Sequence, residues 1–138
     1  MRKIVFLLCI FLISTISNSQ TYYYKSVAAI DIKTKVKGRP MRADMYISFN
    51  EQGCWESDNK GYDINGHFFQ YAGRKNGIII YQYITSIDPF FGKQSLIETW
   101  SFSSDYKRLN IKNEIIPNNI HVFERANPED IDVPDELY

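Results

Sequence analysis

Apolar and polar residues alternate with a period of two along most of this chain. A first run, Ala28 to Val36, has alanine, isoleucine and valine on one face and aspartate and lysines on the other. A second run, Met41 to Phe49, restarts the alternation after the Gly38-Arg39-Pro40 break. Antiparallel strands with one face on the core and one in water show this alternation. The two runs therefore predict two neighbouring antiparallel strands.

Turn signals recur at short intervals between the later alternating segments. Asn65-Gly66 and Asn76-Gly77 are the strongest of them, because both central residues of a type I′ hairpin turn need a positive φ. No segment keeps a helical period of 3.6. We therefore predict an all-β fold, an antiparallel up-and-down meander of about eight strands that is barrel-like and broadly lipocalin-like. The alternative is a two-sheet β-sandwich.

The N-terminus has the three parts of an export signal. Met1-Arg2-Lys3 is charged, Ile4 to Ile13 is apolar, and Ser14 to Ser19 is small and polar. Residues 1–19 are predicted to be a cleaved signal peptide, which places the mature chain in the periplasm or outside the cell. The apolar run is shorter than the roughly 20 residues that a membrane-spanning helix needs. The mature chain is therefore expected not to span a membrane.

The cysteine content and the charge balance limit the disulfides and the partners that the chain can have. Cys9 leaves with the signal peptide, so Cys54 has no partner for a disulfide and is expected to be a buried small hydrophobe. Residues 20–125 are predicted to form one β domain, and residues 126–138 an acidic tail, loose or one helical turn. The chain balances 16 basic against 16 acidic residues. This balance argues against a nucleic-acid partner.

No motif in the chain points to catalysis, a metal or a cofactor. Its two histidines, His67 and His121, stand far apart without the spacing of metal ligands. No phosphate-binding glycine loop and no Gly-x-Ser-x-Gly motif is present. We therefore expect no cofactor and no enzyme activity.

Glu98 is the one acidic residue that strand alternation places on an apolar face. It shares that face with Trp100, so its carboxylate must be paired, hydrogen-bonded or neutral if it is buried. The functional interpretation is a polar group in a ligand pocket, and the structural alternative is a barrel end or a bulge that turns Glu98 outward. The aromatic candidates for the same ligand site are Trp100, Trp55, Tyr81, Tyr83, Phe90 and Phe91.

Basic residues form a second candidate site, for an anionic partner. Strand alternation would put three lysines on one solvated face, followed by two arginines. The ordinary alternative is a charged strand face that resists aggregation. The residues are Lys33, Lys35, Lys37, Arg39 and Arg42.

Three blocks of sequence carry a resemblance to a known group of proteins. They are Gly53-Cys54-Trp55-Glu56-Ser57-Asp58 and the stretch from Trp100 to Ile111, followed by Val122-Phe123-Glu124-Arg125. From Phe49 to Arg125 the chain resembles small exported bacterial all-β domains of unknown function. The resemblance implies no activity and transfers no site residue.

These observations predict an exported, non-enzymatic binding domain. The ligand would be a small apolar or sugar-like molecule in a barrel mouth, or a protein that contacts an aromatic loop. One alternative is a glycan-active hydrolase or lyase that uses Glu98. Another is an inhibitor or accessory subunit of an envelope complex.

Overall fold

The computed structural model describes residues 20–84, 96–114 and 117–130. The predicted signal peptide, Phe90, Phe91 and the end of the acidic tail lie outside these residues. The strands are β1 Gln20–Asp31, β2 Lys37–Gly38, β3 Met45–Phe49, β4 Gly53–Ser57, β5 Asp63–Lys75, β6 Ile78–Ile84, β7 Leu96–Phe102, β8 Arg108–Asn113 and β9 Asn119–Ala126. Pro128–Asp130 forms one 3₁₀ turn, and no α-helix is present among the described residues.

Eight of the strands form a closed antiparallel barrel. Strands β3 to β8 each pair with the next strand along the chain, and β1 pairs with both β3 and β9. The short β2 is an extra strand that pairs with the end of β1. The predicted barrel-like meander is therefore confirmed. The sandwich alternative is wrong, because the pairing of β1 with β9 leaves one continuous sheet rather than two.

Residues around Asn76 and Gly77 form the predicted hairpin turn. Lys75 pairs with Ile78, and both turn residues have positive φ, 53° at Asn76 and 79° at Gly77. The other signal, Asn65-Gly66, does not connect two strands. It lies inside β5, where the Asp63 carboxylate accepts hydrogen bonds from both backbone N–H groups, at 2.9 and 2.8 Å. The same Asn-Gly dipeptide therefore forms a hairpin turn at residues 76–77 and an irregularity within a strand at residues 65–66.

Strand β1 ends earlier than the alternation predicted. At Asp31 the chain turns, and the Asp31 carboxylate accepts the backbone N–H groups of Lys33 and Thr34, both at 2.9 Å. These hydrogen bonds hold the pKa of Asp31 below its usual value. Lys35 has a positive φ of 61°, which a strand residue does not adopt. The predicted strand face with three lysines is therefore wrong, because a side-chain-stabilised turn replaces the strand.

Aromatic side chains fill the barrel interior. One contiguous cluster takes in residues from β1 and from β3 to β9: Tyr24, Met45, Ile47, Phe49, Cys54, Phe69, Ile79, Tyr81, Trp100, Phe102, Leu109, Ile111 and Phe123. Cys54 is a free, buried thiol, as predicted, and its burial raises its pKa well above the usual value. Three concavities lined by described residues have volumes of about 400 to 680 Å³, and surface or rim residues make up most of their linings. The side chains of the cluster pack against one another inside the barrel.

Gly53 begins β4 where the backbone of β5 passes very close. A Cβ atom there would overlap the carbonyl oxygen of Phe69 and lie 2.8 Å from the ring of Phe68. We expect Gly53→Ala to lower the free energy of unfolding by about 3 kcal/mol, because an overpacked site forces the backbone apart. Urea denaturation measures the change. Gly38→Ala is the control, since its Cβ would meet Ala29 at an ordinary 3.7 Å; equal losses would contradict the prediction.

Candidate functional site

The two ends of the barrel differ in chemistry. Strand directions place residues 32–44, 58–62, 114 and 117–118 at one end, which we call the Glu98 end. Residues 50–52, 76–77 and 103–107 lie at the other end. There, Tyr81 shares a hydrogen bond with the hydroxyl of Tyr106 at 3.1 Å, and Tyr24 donates to the Tyr106 carbonyl at 2.7 Å. Tyr24 and Tyr81 are therefore both hydrogen-bonded to Tyr106 at this second end, one to its backbone and one to its side chain.

Glu98 faces the interior, as strand alternation predicted. Only 9% of the residue is exposed, and Trp100 and Phe102 follow it on the same buried face of β7. Its cross-strand partners are Tyr83 on β6 and Asn113 on β8. A register shift between β6 and β7 at Ile84 lies one step beyond this position and leaves Glu98 facing inward. The barrel therefore holds a carboxylate near one end, between an aromatic ring and an amide.

Both oxygens of the Glu98 carboxylate are engaged. Oε1 accepts a hydrogen bond from Nη2 of Arg42 and forms an ion pair with it. Oε2 accepts the indole N–H of Trp100 at 2.9 Å. A buried carboxylate needs this kind of compensation, because an unpaired charge in the interior is very costly.

Arg42 reaches Glu98 from the segment between β2 and β3. The alternation had assigned this residue to the outer face of a strand, but β3 begins at Met45. The neighbouring Asp44 accepts the backbone N–H of Ser26 at 2.7 Å and the hydroxyl of Tyr23 at 2.7 Å, which ties the segment to β1. Arg42 therefore joins two residue sets that the sequence analysis treated as separate sites.

Aromatic rings lead from the core to the surface beside Glu98. Trp100 stacks on Phe69 with 3.8 Å between ring centroids, and Phe69 contacts Tyr83 at 5.6 Å. Tyr83 stacks on the exposed ring of His67, with centroids 4.5 Å apart and planes 19° apart. We call Trp100, Phe69, Tyr83 and His67 the aromatic column. It presents a flat ring surface at the Glu98 end.

His121 faces the interior from β9, opposite Ile111 and Ala29. Burial and the charge of Arg42 lower its pKa, and the charge of Glu98 partly opposes this. The ring is therefore neutral at neutral pH. Its Nδ1 atom is buried and has no hydrogen-bond partner among the described residues. Buried polar atoms without partners are rare and call for a water or a ligand.

The remaining predicted residues lie elsewhere. Trp55 is on the outer face, where it stacks on Phe68 and donates its indole N–H to the Gly61 carbonyl at 2.9 Å. Tyr81 pairs with Trp100, but its hydroxyl points to Tyr106 at the other end, and burial raises its pKa. Phe90 and Phe91 lie outside the described residues.

The basic residues other than Arg42 are exposed near the rim of the Glu98 end. Lys33 and Lys35 lie in the turn after β1, and Lys37 lies in β2. A rim concavity of about 520 Å³ includes Arg39, Asp31 and Met41 in its lining. These cations therefore do not share one strand face, although they surround the same end as Arg42.

Sequence reasoning missed Phe69, His67, His121 and Asn113. The period-two spacing of His67, Phe69 and Tyr71 was a usable signal, since it places three rings on one face of a strand. No sequence signal links His121 or Asn113 to Glu98, because their proximity depends on the register of β7, β8 and β9.

Residues 20–84, 96–114 and 117–130 contain no group of three or more His, Cys, Asp and Glu side chains that could hold a metal ion. None of the helical structure in the same ranges is long and apolar enough to cross a membrane.

Comparisons with protein-family models, curated proteins and solved structures give no match to this chain. The resemblance to exported bacterial β domains therefore stays a prediction.

Proposed function

We propose that this protein is an exported, non-enzymatic binding domain that takes a small sugar-like ligand at the Glu98 end of its barrel. The observation that supports this most is the aromatic column, which ends in the stacked rings of Tyr83 and His67 beside the Arg42–Glu98 pair. A flat ring surface next to a charged hydrogen-bonding pair matches the two faces of a sugar ring, one apolar and one rich in hydroxyls.

The packed interior favours a ligand at the mouth over one inside the barrel. The rings of Phe102, Trp100 and Phe123 are almost completely buried against their neighbours. A small apolar molecule would need a cavity of a few hundred Å³ to be enclosed. Of the ligand types expected from the sequence, a polar ligand at the mouth therefore fits better than an apolar one in the interior.

Glycan hydrolysis is the weaker proposal for the same site. A general acid must carry a proton and deliver it to the leaving group. Both oxygens of Glu98 are already acceptors, one for Arg42 and one for Trp100. Glu98 is therefore better suited to hold a ligand than to donate a proton to it.

Calorimetric titration with neutral, acidic and amino oligosaccharides tests the binding function. For a saccharide that binds, we expect Tyr83→Ala to weaken affinity about tenfold, a loss of about 1.4 kcal/mol, because the ring on which the exposed His67 stacks is removed. Circular dichroism establishes that the variant remains folded.

Trp55→Ala is the matched control, since it removes an aromatic side chain from the outer face of the barrel. Its affinity is expected to equal that of the unmodified protein. Equal losses in the two variants would place the ligand elsewhere, and a lack of saturable binding to every class of saccharide would contradict the proposed function.

A further inference from the structure

We infer that the ligand at the Glu98 end is an amino sugar, whose protonated amine replaces Arg42 on the Glu98 carboxylate. This inference rests on the proposed binding function and names the class of ligand. In the free protein, the Arg42 guanidinium would then occupy the position beside the Glu98 carboxylate that the ligand amine takes on binding.

The first argument is the burial of the carboxylate. Glu98 is 9% exposed, and an ionised carboxylate that loses its partner in such a place costs several kcal/mol. A neutral or anionic ligand that displaced Arg42 would leave this charge uncompensated. A ligand with its own cation can take the place of Arg42 without that cost.

The second argument is that Arg42 is the exchangeable partner. Its side chain is 31% exposed, against 11% for Glu98. Arg42 lies between β2 and β3 rather than in a strand, whereas Glu98 lies within β7 and is held by Trp100. The arginine side chain can therefore swing towards solvent while the carboxylate stays in place.

The third argument is the unpartnered nitrogen of His121. His121 on β9 pairs with Ile111 on β8, which pairs in turn with Trp100 on β7, two residues from Glu98 on the same face. Nδ1 is buried and has no partner among the described residues. With the ring proton on Nε2, Nδ1 is an acceptor. An ammonium group has three N–H donors, so it can serve Glu98 and still offer a donor to His121.

The fourth argument is the aromatic surface beside the carboxylate. Tyr83 is the cross-strand partner of Glu98, and its ring stacks on His67. Aromatic faces attract cations, and they also pack against the C–H face of a sugar ring. An amino sugar combines both features in one molecule.

Oligomers of glucosamine and of N-acetylglucosamine, equal in length, test the inference. They share the sugar ring and differ in charge, because acetylation removes the basic amine. With the amines protonated, we expect the glucosamine oligomer to bind at least about tenfold more tightly in calorimetric titrations. Glu98→Gln keeps the shape of the side chain and is expected to abolish this preference.

Arg42→Ala provides a second measurement. We expect the glucosamine oligomer to raise the melting temperature of this variant more than that of the unmodified protein, because the ligand now supplies the missing cation. The double variant Arg42→Ala/Glu98→Gln is the control and should show no such gain.

The outcomes separate the two proposals. Equal affinity for the two oligomers, or a preference that survives Glu98→Gln, would overturn the amino-sugar inference and leave the binding function standing. If neither oligomer binds but another saccharide does, the inference again fails alone. If no saccharide binds, both proposals are wrong.

Discussion

Replacement of Phe102 by alanine is expected to lower the free energy of unfolding by about 4 kcal/mol. The side chain is completely buried, and its ring meets those of Tyr24, Phe49 and Tyr81 with centroids 5.3 to 5.7 Å apart. Truncation removes the apolar contact area and leaves a cavity, since neighbouring rings held by three different strands cannot close around the gap. Urea denaturation followed by tryptophan fluorescence measures the loss.

Ile78→Ala is the control for Phe102→Ala. Ile78 is a large apolar side chain at the start of β6, but it is 45% exposed. We expect its truncation to cost less than about 1 kcal/mol, because little area is lost and no cavity forms. A loss below about 1 kcal/mol for Phe102→Ala would show that the barrel interior is not packed as described.

The second large effect concerns the ion pair. We expect Arg42→Ala to lower the free energy of unfolding by about 3 kcal/mol, because Glu98 is left as a buried charge without its partner. The value is at the low end of the range for buried pairs, since the Arg42 side chain is 31% exposed. Chemical denaturation at neutral pH measures it.

Two variants check this interpretation of Arg42. Arg39→Ala, an exposed arginine from the same segment, is expected to have almost no effect. The double replacement Arg42→Met/Glu98→Leu should recover most of the stability, because it removes both charges together. An equal effect of Arg39→Ala and Arg42→Ala would rule out the ion pair as a stabilising contact.

The expected results for Arg42 link stability to binding. An arginine that fills the cation position stabilises the free protein and competes with a ligand for the same carboxylate. Removal of Arg42 should therefore weaken the fold and increase the benefit from a cationic ligand. The two effects have opposite signs because the buried Glu98 carboxylate pairs with one cation at a time, either Arg42 or the ligand.

The fold could be predicted from the sequence because two local signals, strand alternation and turn sequences, agreed. Alternation over Met45, Ile47 and Phe49 places three core residues on one face of β3, and all three are buried. Asn76-Gly77 supplies the hairpin geometry between β5 and β6. Each signal depends on residues close together in the chain, so neither needs knowledge of the tertiary structure.

The alternation predicted the wrong strand limits where side chains hydrogen-bond to the backbone. The Asp31 carboxylate ends β1 before Lys33, and Asp63 accepts the backbone N–H groups around Asn65 within β5. Aspartate does this wherever its carboxylate reaches an N–H two or three residues ahead. The period-two pattern does not report such turns, because it records polarity and not hydrogen bonding.

Local sequence was sufficient for the all-β class, for strands such as β3, for the buried Cys54 and for the inward direction of Glu98, because alternation and turn chemistry act over a few residues. It could not reveal that Arg42 pairs with Glu98, since the two residues lie 56 positions apart in the chain. Nor could it bring Phe69, Tyr83 and His67 together beside that pair. These contacts depend on barrel closure and on the register of neighbouring strands, which follow from the packing of the whole interior.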